Sequence, residues 1–244
     1  MFTVHDLCEM KELPKWSEIS LSLYKEFCVQ NLFSKTFRYY FVNGASIDVE
    51  FREGAMRHLW GIHHIDRRIK SRQLFEKIDE GLDLVNIAKN KSMKKRLTDN
   101  RDRIRAFACI YDLLRNGDTF WVECGKLKGT EIEIDYLKSK NISSKGVNLG
   151  MRTEGDVCVP ITMLIDRAID SNKTIRGLME CLVARMEILE SGKVTENIYY
   201  NYAAKLKRNK RCRYKNEYKK IPRCFRKDIY SEKLKMMKLK TEVK

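Results

Sequence analysis

The first part of the chain changes from helical to strand-like spacing of its apolar residues. Residues 17–33 carry apolar side chains at intervals of three and four, which predicts a helix. The next segment, FRYYFVNGASIDVEF, has two apolar-rich runs around Asn43-Gly44. Because glycine accepts a positive φ without steric cost, this dipeptide predicts a tight turn, and residues 37–42 and 47–51 are expected to pair as an antiparallel hairpin.

The helical spacing returns over residues 54–115, with breaks expected near Gly61, near Gly81 and at 89–92. The last part of this region, RDRIRAFACIYDLLRNG, has the most regular pattern of apolar residues. Gly117 supplies a C-terminal stop for that helix. The sequence therefore predicts one long helix that ends just before Gly117.

Four short strands and a further helix are predicted in the second half. The strands are expected at 119–124, 131–137, 147–151 and 157–161. The segments between them are turn-like and too short for crossover helices, so the strands should form an antiparallel meander. The apolar residues of 174–190 recur at helical spacing and predict a final amphipathic helix.

These elements predict an α+β fold, in which a helical layer packs on a four-stranded antiparallel sheet. The hairpin is an N-terminal addition to this sheet. Residues 1–190 are expected to form one domain with its N-terminal helix and hairpin. Residues 191–244 are expected to form a basic C-terminal extension, either helical or partly disordered.

The composition favours a cytoplasmic protein. No stretch of the 244 residues is long and apolar enough to span a bilayer, and the first twenty residues lack the basic start and apolar centre of a signal peptide. The eight cysteines are scattered, without a CxxC pair. This distribution fits reduced thiols and offers no zinc-ligand spacing, so neither a metal nor a membrane partner is expected.

The net charge of +16 at pH 7 makes nucleic acid the leading partner class, because a positive field attracts polyanions. Residues 205–227 hold twelve Lys or Arg and a single acidic residue, with aromatic residues between them. This composition is expected where phosphates are neutralised and bases stack, although a solvated tail has it too. The candidate nucleic-acid contacts in this segment are Lys207, Arg208, Lys210, Arg211, Arg213 and Tyr214.

Three of the four histidines lie in the string MRHLWGIHHID, residues 56–66. Positions 58, 63 and 64 do not share one face of a helix, which disfavours a three-histidine metal site. Gly61 is expected to end the helix that bears His58. Two interpretations stay open from the residues alone: one imidazole transfers protons, or the string is a packed corner whose imidazole only donates to a carbonyl.

The longer string VEFREGAMRHLWGIHHI resembles the F…F.HLLGL signature of a nuclease family associated with phages and mobile elements. That family belongs to the superfamily of barnase, EndoU, colicin and RelE, known as the BECR fold. Further segments follow in the family's order: MKKRL after a serine, the long helix, TFWVECGK, EIEIDYL, VNLGMR and VCVPIT. The resemblance covers residues 37–169. Trp60, Met56 and the basic extension depart from the family's pattern.

The resemblance implies a metal-independent endoribonuclease that needs no cofactor and cleaves RNA by attack of the ribose 2′-OH. It also implies a toxin or phage-conflict effector that acts on tRNA or mRNA, with an antitoxin or a host protein as a further partner. The alternatives are a non-catalytic nucleic-acid-binding protein and a phage inhibitor of a host nucleic-acid machine.

The resemblance also implies site residues. His58 matches the motif histidine and is expected to transfer protons. Ser92 matches a serine at the start of a helix, where it contacts substrate or caps the helix. Asp135 and Tyr136 match a DY step, in which the carboxylate would orient an imidazole and the ring would stack on a base. The simpler interpretations are that Asp135 is an exposed strand carboxylate and that Tyr136 belongs to the core.

Phosphate stabilisation is assigned to three arginines, since a cation near the phosphorane matters as much as a proton-transfer group. Arg96 and Arg101 follow the helix-start serine, and Arg152 lies near the end of a strand. A solvated helix face or a rim ion pair is the alternative for each. Arg96 and Arg101 are therefore placed with the catalytic residues, and Arg152 with the RNA contacts.

Overall fold

The computed structural model of the chain describes residues 2–117, 119–126, 132–166, 174–175 and 178–200. Two 3₁₀ turns, Trp16–Glu18 and Ser71–Gln73, accompany the helices of these ranges. The α-helices are α1 Val4–Glu9, α2 Leu21–Asn31, α3 Glu53–Leu59, α4 Ile62–Ile65, α5 Leu74–Asp79, α6 Lys91–Phe107 and α7 Ile110–Asn116.

The strands of the described ranges belong to a single sheet. They are β1 Lys35–Phe41, β2 Ser46–Glu50, β3 Thr119–Lys126, β4 Glu133–Ile142, β5 Lys145–Glu154, β6 Val157–Asp166, β7 Met179–Glu190 and β8 Lys193–Tyr199. The predicted hairpin is present as β1 and β2, and the four predicted strands of the meander are present as β3 to β6.

The sheet closes on itself. Its strand order is β1-β2-β6-β5-β4-β3-β7-β8, and β1 also pairs with β7. The additional pairing joins seven strands into a barrel and leaves β8 outside, against β7. A closed ring with an odd number of strands cannot alternate direction at every step. The parallel pairing of β2 with β6, among otherwise antiparallel neighbours, meets this requirement.

The prediction of a helical layer on a four-stranded antiparallel sheet is therefore wrong. The hairpin is not an addition to the sheet, because β2 pairs with β6 and β1 pairs with β7. The meander of β3 to β6 supplies four consecutive strands of the barrel. Two further connections, through the hairpin on one side and β7 on the other, complete the ring.

The predicted final helix is strand β7, and a β-bulge explains the error. The pairing with β1 shifts register between Tyr40 and Phe41, which leaves Ala184 of β7 as an extra residue. As a result, the buried residues Val183 and Met186 lie three positions apart instead of two. A spacing of three followed by shorter steps imitates the period of a helix.

Strand β8 lies in the part of the chain assigned to the C-terminal extension. It follows a tight turn at Ser191 and Gly192, both of which have a positive φ, and pairs with the second half of β7. Residues 201–244, which carry the predicted basic segment, lie outside the described residues. In the described ranges, no helix has the length and apolar character needed to cross a bilayer.

The barrel interior contains a buried cation. Lys138 on β4 is fully buried, and its Nζ lies 4.5 Å from the ring centre of Tyr39 and 4.4 Å from that of Phe120. Because β1 and β4 are not neighbours in the sheet, Tyr39 and Lys138 meet only by pointing into the barrel. Lys138 Nζ also donates to the carbonyl oxygen of Gly117 at 2.6 Å. The end of α7 therefore reaches the interior.

The long helix expected before Gly117 is two helices, α6 and α7, separated at Ala108 and Cys109. The break allows α7 to pack on the barrel, where Tyr111 lies 6.1 Å from Phe37, ring centre to ring centre. Helix α6 packs mainly on the other helices, where Phe107 lies against the buried ring of Trp60. The helices thus join the barrel through α7 and through contacts of α3 and α6 with β6, and they form a second packed layer around Trp60.

Candidate functional site

A bend at Gly61 brings the three histidines of the string together. Gly61 has φ +71°, which ends α3 and redirects the chain into α4. The ring centres of His58 and His63 are 4.4 Å apart, and those of His63 and His64 are 3.8 Å apart. The two consecutive short helices therefore bring the three rings side by side, whereas one continuous helix would separate them. We call these three side chains the histidine stack.

Apolar residues around the bend fix its position. Trp60 is fully buried and stacks on Phe75 with an interplanar angle of 11°. Ile62 and Ile65 are also fully buried and hold α4 against the core. A Cβ at Gly61 would lie 2.9 Å from Asn100 Oδ1, so the bend is in close contact with α6. The corner is packed, as one of the two interpretations expected, whereas the rings of His58 and His64 remain exposed.

The rings of the stack differ in exposure. His58 and His64 are exposed, whereas His63 is half-buried between them. The Nδ1 of His63 lies 3.3 Å from the carbonyl oxygen of Arg57, to which it donates when protonated at that nitrogen. Two imidazoles are thus accessible to a ligand, and the middle ring is held in place by the backbone.

A pocket of about 410 Å³ opens beside the stack. It is lined by His64, Arg67, Arg96, Asp99 and Asn100, from the end of α4 and the outer face of α6. Its volume is within the range of pockets that hold small ligands. Two guanidinium groups, one imidazole, one amide and one carboxylate thus meet at an open surface.

Burial and neighbouring cations lower the pKa of all three imidazoles. Partial burial is the largest cause for each. His63 has the strongest effect: burial, followed by the adjacent His64, lowers its pKa to about 4. Arg103 contributes to all three, and burial also lowers its own pKa. At neutral pH the stack is therefore uncharged, although it lies among arginines.

The arginines of this site lack carboxylate partners in the described part of the chain. No carboxylate there lies within ion-pair distance of Arg67, Arg96 or Arg103. By contrast, Arg38 holds Asp48 through two hydrogen bonds of 2.7 Å. Guanidinium groups without an acidic partner, at an open pocket, are typical of a site that receives an anion.

The predicted arginines and the helix-start serine have different places. Arg96 lines the pocket. Arg101 lies on the same helix, but its guanidinium is 5.3 Å above the ring of Trp16 and is not among the lining groups. Ser92 is exposed and does not cap α6, since the side chain of Asn90 accepts the capping hydrogen bond from Met93 N. Of these residues, the structure brings only Arg96 to the pocket.

The predicted strand residues do not line the pocket. Asp135 accepts a hydrogen bond of 2.7 Å from the backbone nitrogen of Thr153, and no contact with the imidazole of His58 accompanies it. Tyr136 is buried in the barrel core, as the simpler interpretation of this residue expected. Arg152 is exposed on β5. The predicted RNA contacts Lys207, Arg208, Lys210, Arg211, Arg213 and Tyr214 lie outside the described residues.

Sequence reasoning missed four members of this site: His63, His64, Arg67 and Arg103. Their side chains meet only because the chain turns at Gly61 and packs on α6. The signal was present in the glycine that separates two runs of histidine and apolar residues. Without the direction of the bend, this signal could not show that the rings would meet.

A metal centre is not formed by these residues. In the described ranges, no group of three or more His, Cys, Asp or Glu side chains is arranged to hold a metal ion. Neighbouring rings of the stack are tilted by 40° and 41° relative to each other.

Comparison with known proteins gives no relative for this chain: no protein-family model, curated protein or solved structure matches it.

Proposed function

We propose that this protein is a metal-independent endoribonuclease whose reaction centre is the histidine stack and the adjoining pocket. One observation carries the proposal: exposed, uncharged imidazoles lie beside arginines that have no acidic partner in the described chain. A neutral imidazole can accept a proton, and arginine stabilises charge on a phosphate. Both groups needed for metal-free phosphodiester cleavage are thus present at one surface.

The chemistry follows from the positions of the groups. A neutral imidazole, assigned to His58, takes the proton of a ribose 2′-OH, and the oxygen attacks the adjacent phosphorus. The bond to the 5′-oxygen then breaks, and that oxygen takes a proton from a protonated imidazole, assigned to His64 beside Arg96. The products are a 2′,3′-cyclic phosphate and a 5′-hydroxyl. A proton-transfer group contributes about 10²- to 10⁴-fold to such a rate.

The fold correction changes the support for this function. A helical layer on a four-stranded antiparallel sheet was expected beside the resemblance to BECR nucleases, and the barrel does not have that architecture. The proposal now depends on the chemistry of the pocket, which lies on helices. A toxin or phage-conflict role, tRNA or mRNA as substrate, an antitoxin or host protein as partner, and a cytoplasmic location remain proposals from the sequence.

A non-catalytic nucleic-acid-binding protein is the second candidate, and one observation favours it. The pKa of each imidazole is lowered, so at neutral pH the stack lacks the protonated ring that a leaving oxygen requires. Such a pocket would hold a phosphate without cleaving its ester. The pH dependence of cleavage separates the two functions, because a nuclease of this design gains activity as the pH falls from neutral toward the lowered imidazole pKa values, where the stack takes up a proton.

The test is cleavage of total cellular RNA in EDTA, by the full chain, over a range of pH values, with analysis of the product ends. The nuclease should leave 2′,3′-cyclic phosphates. His58→Ala should lower the rate by about 10²-fold or more, and Arg96→Ala by a similar factor. Arg101→Ala is the matched control, because Arg101 belongs to the same helix but lies over Trp16. It should leave cleavage essentially unchanged.

Three results would argue against the nuclease. If EDTA abolishes cleavage, the reaction needs a metal. If RNA binds but is not cut at any pH, the protein is the non-catalytic binder. If Arg101→Ala reduces cleavage as strongly as Arg96→Ala, the pocket is not the site of the effect. Circular dichroism of each variant separates loss of folding from loss of chemistry.

A further inference from the structure

The histidine stack has a property that its single members lack. Its rings are 3.8 and 4.4 Å apart, so a proton on one ring disfavours a proton on the next. The stack therefore titrates as one unit and takes its first proton more readily than its second. Without a ligand, even that first proton is disfavoured by burial and by Arg57 and Arg103.

Arg103 opposes protonation of all three rings of the stack, and Arg57 and Arg67 add to this effect at His64. Asp99 is the carboxylate that lines the pocket, and Asp66 is held by Arg68 in two hydrogen bonds of 2.8 and 2.9 Å. The elements packed against α3 and α4 also carry charged and titratable groups. These include Arg72 on the second 3₁₀ turn, Arg96, Asp99 and Arg103 on α6, and Cys158 and Asp166 on β6, where Asp166 is held by Asn148 and Thr174.

An oxyanion in the pocket changes this balance. An oxyanion bound there would lie against Arg67 and Arg96, and it would offer the adjacent His64 a negatively charged hydrogen-bond acceptor. The charged form of the imidazole then gains a partner that the described residues do not provide. We propose that the pocket binds a phosphodiester oxyanion together with one proton, which the histidine stack takes up.

Proton uptake would give the stack the protonation state that the reaction needs, and in this respect the inference rests on the proposed function. With one proton, the stack contains a protonated ring next to the bound phosphate and a neutral ring two positions away at His58. These are the acid and the base that cleavage requires. The second proton, which would disable the base, is resisted by the cations around the stack. Substrate binding thus prepares the site that acts on it.

The consequence for binding is a specific dependence on pH. If binding is accompanied by uptake of one proton, affinity rises as the pH falls, by up to about tenfold per pH unit above the pKa of the free stack. Sulfate is a suitable probe, because it does not titrate in this range. An RNA oligonucleotide with 2′-O-methyl riboses tests the phosphodiester without cleavage, since it lacks the attacking hydroxyl.

The experiment is isothermal titration calorimetry of the full chain at constant ionic strength, with sulfate and with 2′-O-methyl RNA. Buffers of different ionisation enthalpy report the number of protons taken up. Close to one proton per bound anion is expected near neutral pH. His64→Gln should weaken binding and flatten its pH dependence, whereas His5→Gln, at the remaining and exposed histidine, should leave both unchanged.

Each outcome has a definite meaning. Affinity for sulfate that does not change with pH, or binding without proton uptake, overturns the inference, and this result needs no variant. Proton-linked binding of sulfate with which the RNA does not compete shows a site for small free oxyanions, and overturns the assignment to RNA. Proton-linked binding of RNA that is never cleaved leaves the inference standing and refutes the nuclease.

Discussion

Two regions of this molecule hold basic side chains in different ways. In the barrel, Lys138 is fully buried and lies between the rings of Tyr39 and Phe120. Its ammonium group also donates to the carbonyl oxygen of Gly117. In the helical layer, the histidine stack stays uncharged instead, because burial and nearby arginines lower each imidazole pKa.

The difference separates a structural cation from a site that can respond to a ligand. The partners of Lys138 are built into the fold, so its ammonium group is satisfied there and is not available to solvent. Arg67 and Arg96 lack carboxylate partners among the described residues, and with His64 they line an open pocket. An incoming anion therefore gains interactions there that the protein itself does not use.

The largest expected effect concerns the buried cation. Lys138→Ala deletes a buried side chain and leaves the carbonyl of Gly117 without this donor, so the free energy of unfolding should fall by about 4 kcal/mol. Lys138→Met keeps most of the side-chain volume and should cost about half as much. Lys94→Ala, at an exposed position on α6, is the control and should change stability by less than ~0.5 kcal/mol. Urea denaturation measures all three.

If Lys138→Ala behaves like the Lys94→Ala control, Lys138 does not join α7 to the barrel. If Lys138→Met is more stable than the parent chain, burial of the charge costs more free energy than its aromatic and carbonyl partners return.

The next effect is a loss of stability in acid that comes from the stack. The pKa of His63 is about 4 in the folded protein and 6.5 in the unfolded chain, so the unfolded chain takes up the proton first as the pH falls. The stability due to a neutral His63 is complete above about pH 6.5 and is lost toward pH 4, by on the order of 2 kcal/mol. His63→Asn should flatten this part of the profile.

Carboxylates titrate in the parent protein and in His63→Asn alike, so the difference between the two stability profiles removes their contribution. Urea denaturation of the parent and of His63→Asn at several pH values between about 7 and 4.5 gives the difference. Parallel profiles for the two chains would show that His63 takes its proton equally well in both states.

The smallest effect tests the bend beneath the stack. Gly61 and Gly81 both have a positive φ, but a Cβ at Gly61 meets Asn100 and Arg103, whereas one at Gly81 meets nothing within 4 Å. Alanine at either position adds backbone strain of about 1 kcal/mol, and Gly61→Ala adds a similar cost for displacing α6. The difference between the two variants should be about 1 kcal/mol by urea denaturation.

Gly61→Ala should also weaken sulfate binding, which Gly81→Ala should not. Equal behaviour of the two variants would show that close contact between the bend and α6 is not required for the pocket.

Much of the local structure could be predicted from the sequence, but the closure of the barrel could not. The hairpin and the four strands of the meander follow from alternation and turn residues, which act over short distances. Closure depends on β7, whose bulge at Ala184 gives the apolar residues of this strand a helix-like spacing in the sequence. It also depends on the parallel contact of β2 with β6, which joins segments far apart in sequence.

The site shows the same limit at the level of side chains. The sequence singled out His58 and Arg96, and both belong to the candidate site. It also separated His63 and His64 from His58, because angles along a continuous helix do not apply across the left-handed residue Gly61. Arg101 could not be distinguished from Arg96 by spacing, since the interaction with Trp16 joins α6 to a distant turn.

The central physical claim is that three imidazoles form one uncharged, coupled unit among cations. The most direct test is a pH titration of the imidazole resonances of the full chain by nuclear magnetic resonance, with the signal of His5 identified by His5→Gln. The account predicts that His58, His63 and His64 titrate below their usual pKa of 6.5, with His63 lowest, at about 4. Three independent titrations at or above 6.5 would contradict it.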